Sequence, residues 1–390
     1  MNEGKYVFSQ VTDLLPRRFF DRIVNEFEGN RYIKHFSCWN QMLCMMFGQL
    51  CGCESLNDLL TIICAHRRKF YHLGLGKNVS LNNLSNANMK RDYRIYESLA
   101  YHLVKVIQQN SFPQDDIIEN IDGPVYAIDS TVVDLCLSVF WWAKFRKRKA
   151  GIKAHLVFDV KNNIPSFIFI SEALLHDVHF LDKIDFEMGA YYIFDKAYID
   201  FERLFRMNKA GAFFVTRLKK NAKIIIVDRE KIRKKKGIRS DHTIELVNYY
   251  SSREYPDRLR KVRFYDEEKK RTFTFITNNF DLKAEDVALL YKYRWRIELF
   301  FKWIKQHLKI KSFWGQTPNA VKTQIFIAII TYLLISIIKK KMLTVYSEYE
   351  VIQIIGASLL DKSSLRELLR KPLTQDVKEQ NRNQLKISWD

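Results

Sequence analysis

VYAIDSTVVDL, residues 125–135, is an apolar run rich in β-branched side chains, with one carboxylate, Asp129, near its middle and two small hydroxyls directly after it. Such composition favours a strand. A carboxylate inside it is costly unless it is paired or binds a cation. AHLVFDV (154–160) and PSFIFIS (165–171) follow at short spacing, and the three runs together predict an antiparallel meander.

Working outward, residues 177–184 read as helical, and AYYIFD (190–195) is a second apolar run ending in a carboxylate, Asp195. A further helix leads to AFFVTRL (212–218). Three strands followed by alternating helix and strand is the order of an RNase H-like α/β domain. Taken singly, Asp129 and Asp195 are equally well read as strand-end residues capping the next turn.

YKYRWRIELFFKWIK (291–305) supplies a third acidic element within a long amphipathic helix expected from about Ala284. Tyr291, Arg294, Glu298 and Lys305 fall within about 60° of one another at about 100° per residue. Leu290, Ile297, Phe301, Ile304 and Leu308 form an apolar stripe beside them. The helix is thus able to pack on a sheet while holding Glu298 at the seam. The plainer alternative is an ordinary amphipathic helix with an Arg–Glu pair four residues apart.

Residues 1–112 are expected to form an all-helical N-terminal domain. Leu14, Phe19, Phe20, Ile23, Val24 and Phe27 recur at helical spacing, and Ser55 with Asp58 resembles a capping box. A helix is expected from about Asn86 to Gln108, with Lys90, Arg91 and Arg94 near its start. Pro113, Gly123 and Pro124 mark a boundary. The catalytic-type α/β domain is then expected over 121–217 and 279–345, interrupted by a β-rich insertion at 218–278. A helical extension and tail occupy 346–390. Ile325–Ile338 is almost continuously apolar but shorter than the roughly 20 residues of a membrane span, so a buried core helix is expected.

The chain of 390 residues carries 64 Lys plus Arg against 44 Asp plus Glu, a net charge of +20. That excess favours polyanionic partners, nucleic acid or an anionic membrane surface. Clusters at Lys144, Arg146, Arg148 and Lys149, at Lys219, Lys220 and Lys223, and at 233–236 are each by themselves ordinary solvated faces. Together they suggest a surface for a phosphate backbone. The N-terminus lacks the pattern of a secretory leader. Six cysteines, Cys38, Cys44, Cys51, Cys53, Cys64 and Cys136, fit no zinc spacing and are expected reduced, as in the cytoplasm.

Tyr291, Arg294, Glu298 and Lys305 resemble the Tyr-Arg-Glu-Lys signature of DDE transposases of the insertion-sequence-four family. AIDST around Asp129 and FDKAY around Asp195 are similar to that family's other two acidic blocks, and KFRKRKAGIKAHLVFD (144–159) to its basic stretch. YHLGLG (71–76) lies in a part resembling the extra N-terminal domain of one branch. Two departures stand out. Ala197 replaces a frequent Gly, and the insertion contains no Trp for stacking a flipped base, the seven Trp being at 39, 141, 142, 295, 303, 314 and 389. Tyr249, Tyr250, Tyr255 and Tyr265 are the aromatic substitutes considered.

The resemblance implies a transposase of a bacterial insertion sequence that cuts DNA at the element ends and joins them to target DNA. It implies that Asp129, Asp195 and Glu298 are catalytic and hold two Mg²⁺ or Mn²⁺ ions, with oxygen ligands selecting such hard cations. DNA contacts are expected from Tyr291, Arg294, Lys305, Arg146, Arg148, Lys149, Lys219 and Lys220, and from Lys90, Arg91 and Arg94 of the N-terminal domain. Lys305 is alternatively a solvated helix-face residue, and His155, His176 and His179 are either supports of the metal ligands or structural. The expected partners are double-stranded DNA, as terminal repeats and target, and a second copy of the chain, with no membrane. The expected location is the cytoplasm, at the nucleoid. Rival readings are a metal-dependent nuclease of the same fold without strand transfer, a DNA-binding relative without catalysis, and a membrane-associated protein.

Overall fold

The computed structural model describes residues 4–75, 79–110, 121–135, 140–146, 149–230, 237–307 and 313–370. Contacts divide the chain into two compact units, one of residues 1–100, 307–315 and 319–390, the other of 101–306 and 316–318.

The helices are α1 (Val7–Thr12), α2 (Arg17–Glu26), α3 (Cys38–Leu50), α4 (Leu56–Ala65), α5 (Arg67–His72), α6 (Leu81–Lys90) and α7 (Arg94–Gln109). They continue with α8 (Phe201–Lys209), α9 (Tyr249–Glu254), α10 (Ala284–Tyr293), α11 (Trp295–His307), α12 (Pro318–Met342), α13 (Glu348–Ser358) and α14 (Leu365–Leu368).

In the first unit, Phe8, Phe20, Phe47 and Phe70 are fully enclosed. Ser37 and Ser55 both close capping boxes, the second with Asp58 as its sequence suggests. The single helix expected from Asn86 to Gln108 is two. Arg91 adopts an extended backbone, and Asp92 Oδ1 accepts the Arg94 amide at 2.9 Å to start α7. The last helices belong to this same unit. Asn319 Nδ2 donates to the carbonyls of Asn88 and Arg91 at 2.9 and 2.6 Å, and Gln49 Nε2 donates to the Gln324 carbonyl at 3.2 Å. α12 is long and apolar enough to cross a membrane, yet 94% of its most apolar window is buried. It therefore packs as a core helix does. Among the described residues, none of the five cysteines forms a disulfide.

The second unit is built on one mixed sheet. Its strands are β1 (Val125–Leu135), β2 (Lys144–Arg146), β3 (Lys149–Asp159), β4 (Ile164–Glu172), β5 (Tyr191–Phe194) and β6 (Phe213–Arg217). β7 (Ile224–Arg229), β8 (Ile238–Leu246), β9 (Leu259–Asp266) and β10 (Arg271–Thr277) complete it. β4, β3 and β1 form the antiparallel meander read from the sequence, and β5 and β6 add parallel to β1, giving the order β4-β3-β1-β5-β6. β5 is buried along its whole length, which a central parallel strand covered on both faces requires. β10, β9, β8 and β7 extend the sheet beyond β6, each antiparallel to its neighbour. The strands of the expected insertion thus continue the same sheet.

The expected helix from Ala284 is interrupted at Arg294. That residue keeps a right-handed helical backbone, but its amide bonds the Tyr291 carbonyl three residues back. The tightened turn leaves α10 and α11 close enough in phase to keep Tyr291, Arg294 and Glu298 on one side.

Candidate active site

β1 and β5 pair in parallel, with Ile128 opposite Phe194. Asp129 follows within β1 and Asp195 directly after the end of β5, so both stand where the parallel pairing of these neighbouring strands ends. The interrupted helix lies against this point. Arg294 Nη1 is 3.3 Å from Asp129 Oδ2, and its Nη2 is 2.5 Å from Glu298 Oε1. One guanidinium therefore bridges the strand carboxylate and the helix carboxylate. Arg217, the last residue of β6, donates to Asp195 Oδ2, and the Tyr291 hydroxyl lies 3.5 Å from the same oxygen. The sequence reading had not singled out Arg217. Its position at the C-terminal end of a strand parallel to AYYIFD was the available signal.

Burial pushes the Asp129 carboxyl up to about 6, against the pull of the Ser130 amide and Arg294, while the nearby charges of Glu298 and Asp177 push it further. Asp195 behaves oppositely. Burial raises it, but the Arg217 hydrogen bond, the Ala197 amide and the charges of Arg217 and Arg294 outweigh burial and hold it below the usual carboxylate range. The two strand carboxylates thus differ in how well their charge is compensated. Nε of Arg217 and Nε of Arg294 are both enclosed without a hydrogen-bond partner among the described residues.

These three acids form an all-oxygen, anionic donor set, which suits a hard divalent cation. Among the described residues no three His, Cys, Asp or Glu side chains stand close enough to hold an ion as they are placed. Arg294 stands between Asp129 and Glu298, and Arg217 holds Asp195. The donor chemistry of the three acids is that of a hard divalent cation.

Beyond the acids, Lys305 donates to Thr131 Oγ1 at 2.5 Å and to the Val132 carbonyl at 2.8 Å, so it grips β1 two residues past Asp129. Lys219 donates to the Ile199 carbonyl at 3.0 Å, and Lys220 is exposed. Both line an open concavity with Asp195, Lys196, Ala197 and Asn221. Arg146 and Lys149 face each other across the β2–β3 hairpin in backbone register. Arg148, Cys136 and residues 233–236 lie outside the described residues. In the first unit Lys90 is exposed and Arg94 is paired with Asp92 at 2.5 Å. Arg91 is buried instead, donating to the carbonyls of Phe36 and Ser37 and to Gln41 Oε1, which makes it a structural residue rather than a surface cation. Tyr255 is also buried, whereas Tyr249 and Tyr250 are 65% and 72% exposed, and only exposed rings are available to stack on a base. His155 is fully enclosed and His179 is exposed.

Residues 121–334, more than half of the chain, match the model of the transposase DDE domain. The chain belongs to the DDE transposase family. Residues 3–76 match a separate domain of unknown function, DUF4372. A Sinorhizobium fredii protein described as a transposase, y4zB, is 39% identical over 214 residues, 54% of this chain and 59% of its own length. A Geobacillus stearothermophilus protein described as the transposase of the insertion sequence element IS5377 is 28% identical over 213 residues, 54% of this chain and 56% of its own. The chain thus spans less than two thirds of the length of these two curated relatives. A Synechocystis protein described as the transposase of the element IS4SA is 24% identical over 300 residues, 76% of this chain and 80% of its own. Among solved structures, a piggyBac transposase in a synaptic complex with hairpin DNA aligns with a TM-score of 0.43 and 12% identity, over 98% of this chain and 86% of that one. All three acids of the site fall inside the stretch that matches the DDE domain.

Proposed function

We propose that this DDE transposase serves a bacterial insertion sequence of the insertion-sequence-four type, cutting DNA at the element ends and joining the freed ends to target DNA. The observation that carries the reading is the bridge of Arg294 between Asp129 and Glu298, with Asp195 at the neighbouring strand end. An RNase H-like core accounts for the strand order β4-β3-β1-β5-β6, and the Tyr291, Arg294, Glu298 and Lys305 set for the helix that faces it.

Asp129, Asp195 and Glu298 would hold two divalent ions, Mg²⁺ or Mn²⁺. When bound, such ions stabilise the attacking and leaving oxygens of a phosphodiester displacement and lower the pKa of the attacking water. The protein's own groups do the rest. Arg294 and Arg217, each with an enclosed and unpartnered Nε, turn from carboxylate to DNA phosphate as the backbone enters. Tyr291, beside Asp195, orients a phosphate near the scissile bond. Lys305 fixes the strand that carries Asp129, with a phosphate contact as its second role. Lys219, Lys220, Arg146, Arg148 and Lys149 supply backbone contacts, and Lys90 and Arg94 serve the helical unit, which reads the terminal repeats or pairs two copies on DNA. Tyr249 or Tyr250 is the ring offered to an unstacked base. The buried α12 is read as a core helix of a cytoplasmic protein acting at the nucleoid.

The test is incubation of the purified protein with inverted-repeat DNA and Mg²⁺, followed by a transfer assay on a pre-cut end. Joined product is expected. Cleavage without joining would leave the nuclease reading, and end binding without cleavage the inactive one.

A further inference from the structure

Behind Asp129, on the other face of β1, lies a polar cluster that the displacement chemistry does not use. Strand alternation sends Ser130 to the face opposite Asp129. There Ser130 Oγ donates to Asp177 Oδ1 at 2.5 Å. Lys153 Nζ donates to the same oxygen at 3.2 Å and to the Leu175 carbonyl at 2.9 Å. The register explains why these groups meet. β3 runs antiparallel to β1 with His155 opposite Ser130 and Lys153 opposite Val132, so all three side chains share one face. Asp177 opens the 3₁₀ turn Asp177–Lys183, which packs over that face with Phe180 stacked 5.0 Å from His155.

The cluster is partly enclosed. Lys153 is 12% exposed, Asp177 29% and His155 not at all. A charged pair so placed is weak evidence of added stability, because desolvation offsets most of the attraction. What singles it out is the next link. The Ser130 amide donates to Asp129 Oδ1 at 2.9 Å. Two sets of hydrogen bonds therefore meet at Ser130: its hydroxyl is held by Asp177, which Lys153 also grips, and its amide holds the Asp129 carboxylate. Anchoring the Ser130 side chain to Asp177 fixes the β1 residue whose amide meets the carboxylate.

We propose that Lys153, Asp177 and Ser130 are positioning residues that orient the Asp129 carboxylate for its metal-holding role. The inference rests on the reading of Asp129 as an active-site acid. Partners behind a ligating carboxylate fix its direction, and their loss typically lowers metal affinity or activity by about 10- to 100-fold.

The experiment measures Mn²⁺ binding by electron paramagnetic resonance and DNA cleavage kinetics on the full chain. The variants are Ser130→Ala, Ser130→Thr, Asp177→Asn and the double variant Ser130→Ala with Asp177→Asn. Ser130→Ala is expected to weaken Mn²⁺ binding and kcat by about tenfold with KM for DNA unchanged, and Ser130→Thr to restore both. The double variant is expected to be no worse than the more impaired single one, because both act on the same Ser130–Asp177 contact. Wild-type Mn²⁺ affinity in Ser130→Ala, or losses that multiply in the double variant, would overturn the proposal. Should Ser130→Ala fail to fold, Asp177→Asn, which removes the charge that Lys153 and the Ser130 hydroxyl share, is expected to show the same losses and is judged by the same two readouts. Asp129→Asn is run beside them. If it too retains full Mn²⁺ binding, the reading of Asp129 has failed; if it loses binding while the Ser130 and Asp177 variants do not, only the positioning proposal has.

Discussion

Arg294 and Asp129 stand 165 positions apart in sequence and form an ion pair of 3.3 Å, with only 14% and 21% of their side chains exposed. The same guanidinium reaches Glu298. An enclosed cation between two acids has two consequences. It offsets part of the burial that raises Asp129, and while it stays paired with both acids it is not available to another anion.

Asp195→Asn is expected to abolish cleavage while leaving DNA affinity close to wild type. The substitution removes one ligand charge, whereas phosphate contacts come from lysines and arginines. Gel-shift and nicking assays on one preparation check this. Equal loss in both would make Asp195 a structural residue.

Acid stability carries a signature of His155. Burial holds its imidazole at about 4, with Asp177 pulling up and Lys153 pushing down, against an ordinary value of 6.5. Its folded pKa is depressed, so its contribution to stability is complete above pH 6.5 and is lost as pH falls from 6.5 toward 4, where the unfolded chain binds the extra proton. The slope is about 1.4 kcal/mol per pH unit inside that window. His155→Gln should flatten it. Denaturant titrations from pH 7 to 4.5 that give the same slope for both proteins would refute the assignment.

Arg91 and Lys90 are neighbours with opposite expected behaviour. Arg91→Ala leaves the Phe36 and Ser37 carbonyls without their donor and should destabilise the protein by about 2–3 kcal/mol, with the salt dependence of DNA binding unchanged. Exposed Lys90→Ala should change stability by less than about 0.5 kcal/mol. If Lys90 contacts a phosphate, the same variant lowers the salt slope by about 0.9. Thermal melts and binding at several salt concentrations separate the two.

Removing the helical region does not yield a clean catalytic fragment. Residues 319–390 share a compact unit with residues 1–100, and Asn319 and Gln324 bond to Asn88, Arg91 and Gln49. A chain beginning at Ile121 should expose the apolar face of α12 and aggregate. Light scattering on that fragment checks this, and a monomeric, folded product would contradict it. End recognition is therefore better tested by surface substitutions such as Lys90→Ala in the full chain.

Much of the site was legible before any tertiary contact was known, because its signals are local. Continuous apolar runs place Asp129 in one strand and Asp195 at the end of another, and a period near 3.6 gathers Tyr291, Arg294 and Glu298 on one side of a helical segment. Burial of an all-apolar segment in α12 and the Ser55–Asp58 capping box are equally short-range properties.

Local sequence signals suffice to nominate the candidate acids and to outline the elements that carry them. Tertiary structure alone decided their partners. Arg217 meets Asp195 because β6 lies beside β5, and Lys153 and His155 share a face with Ser130 because β3 pairs with β1 in that register. Arg91 reads as one more surface cation, yet a break between α6 and α7 turns it inward to the carbonyls of Phe36 and Ser37. Each of these depends on strand register or on a helix end, which are fixed by which distant segments bury one another, and no local period encodes that choice.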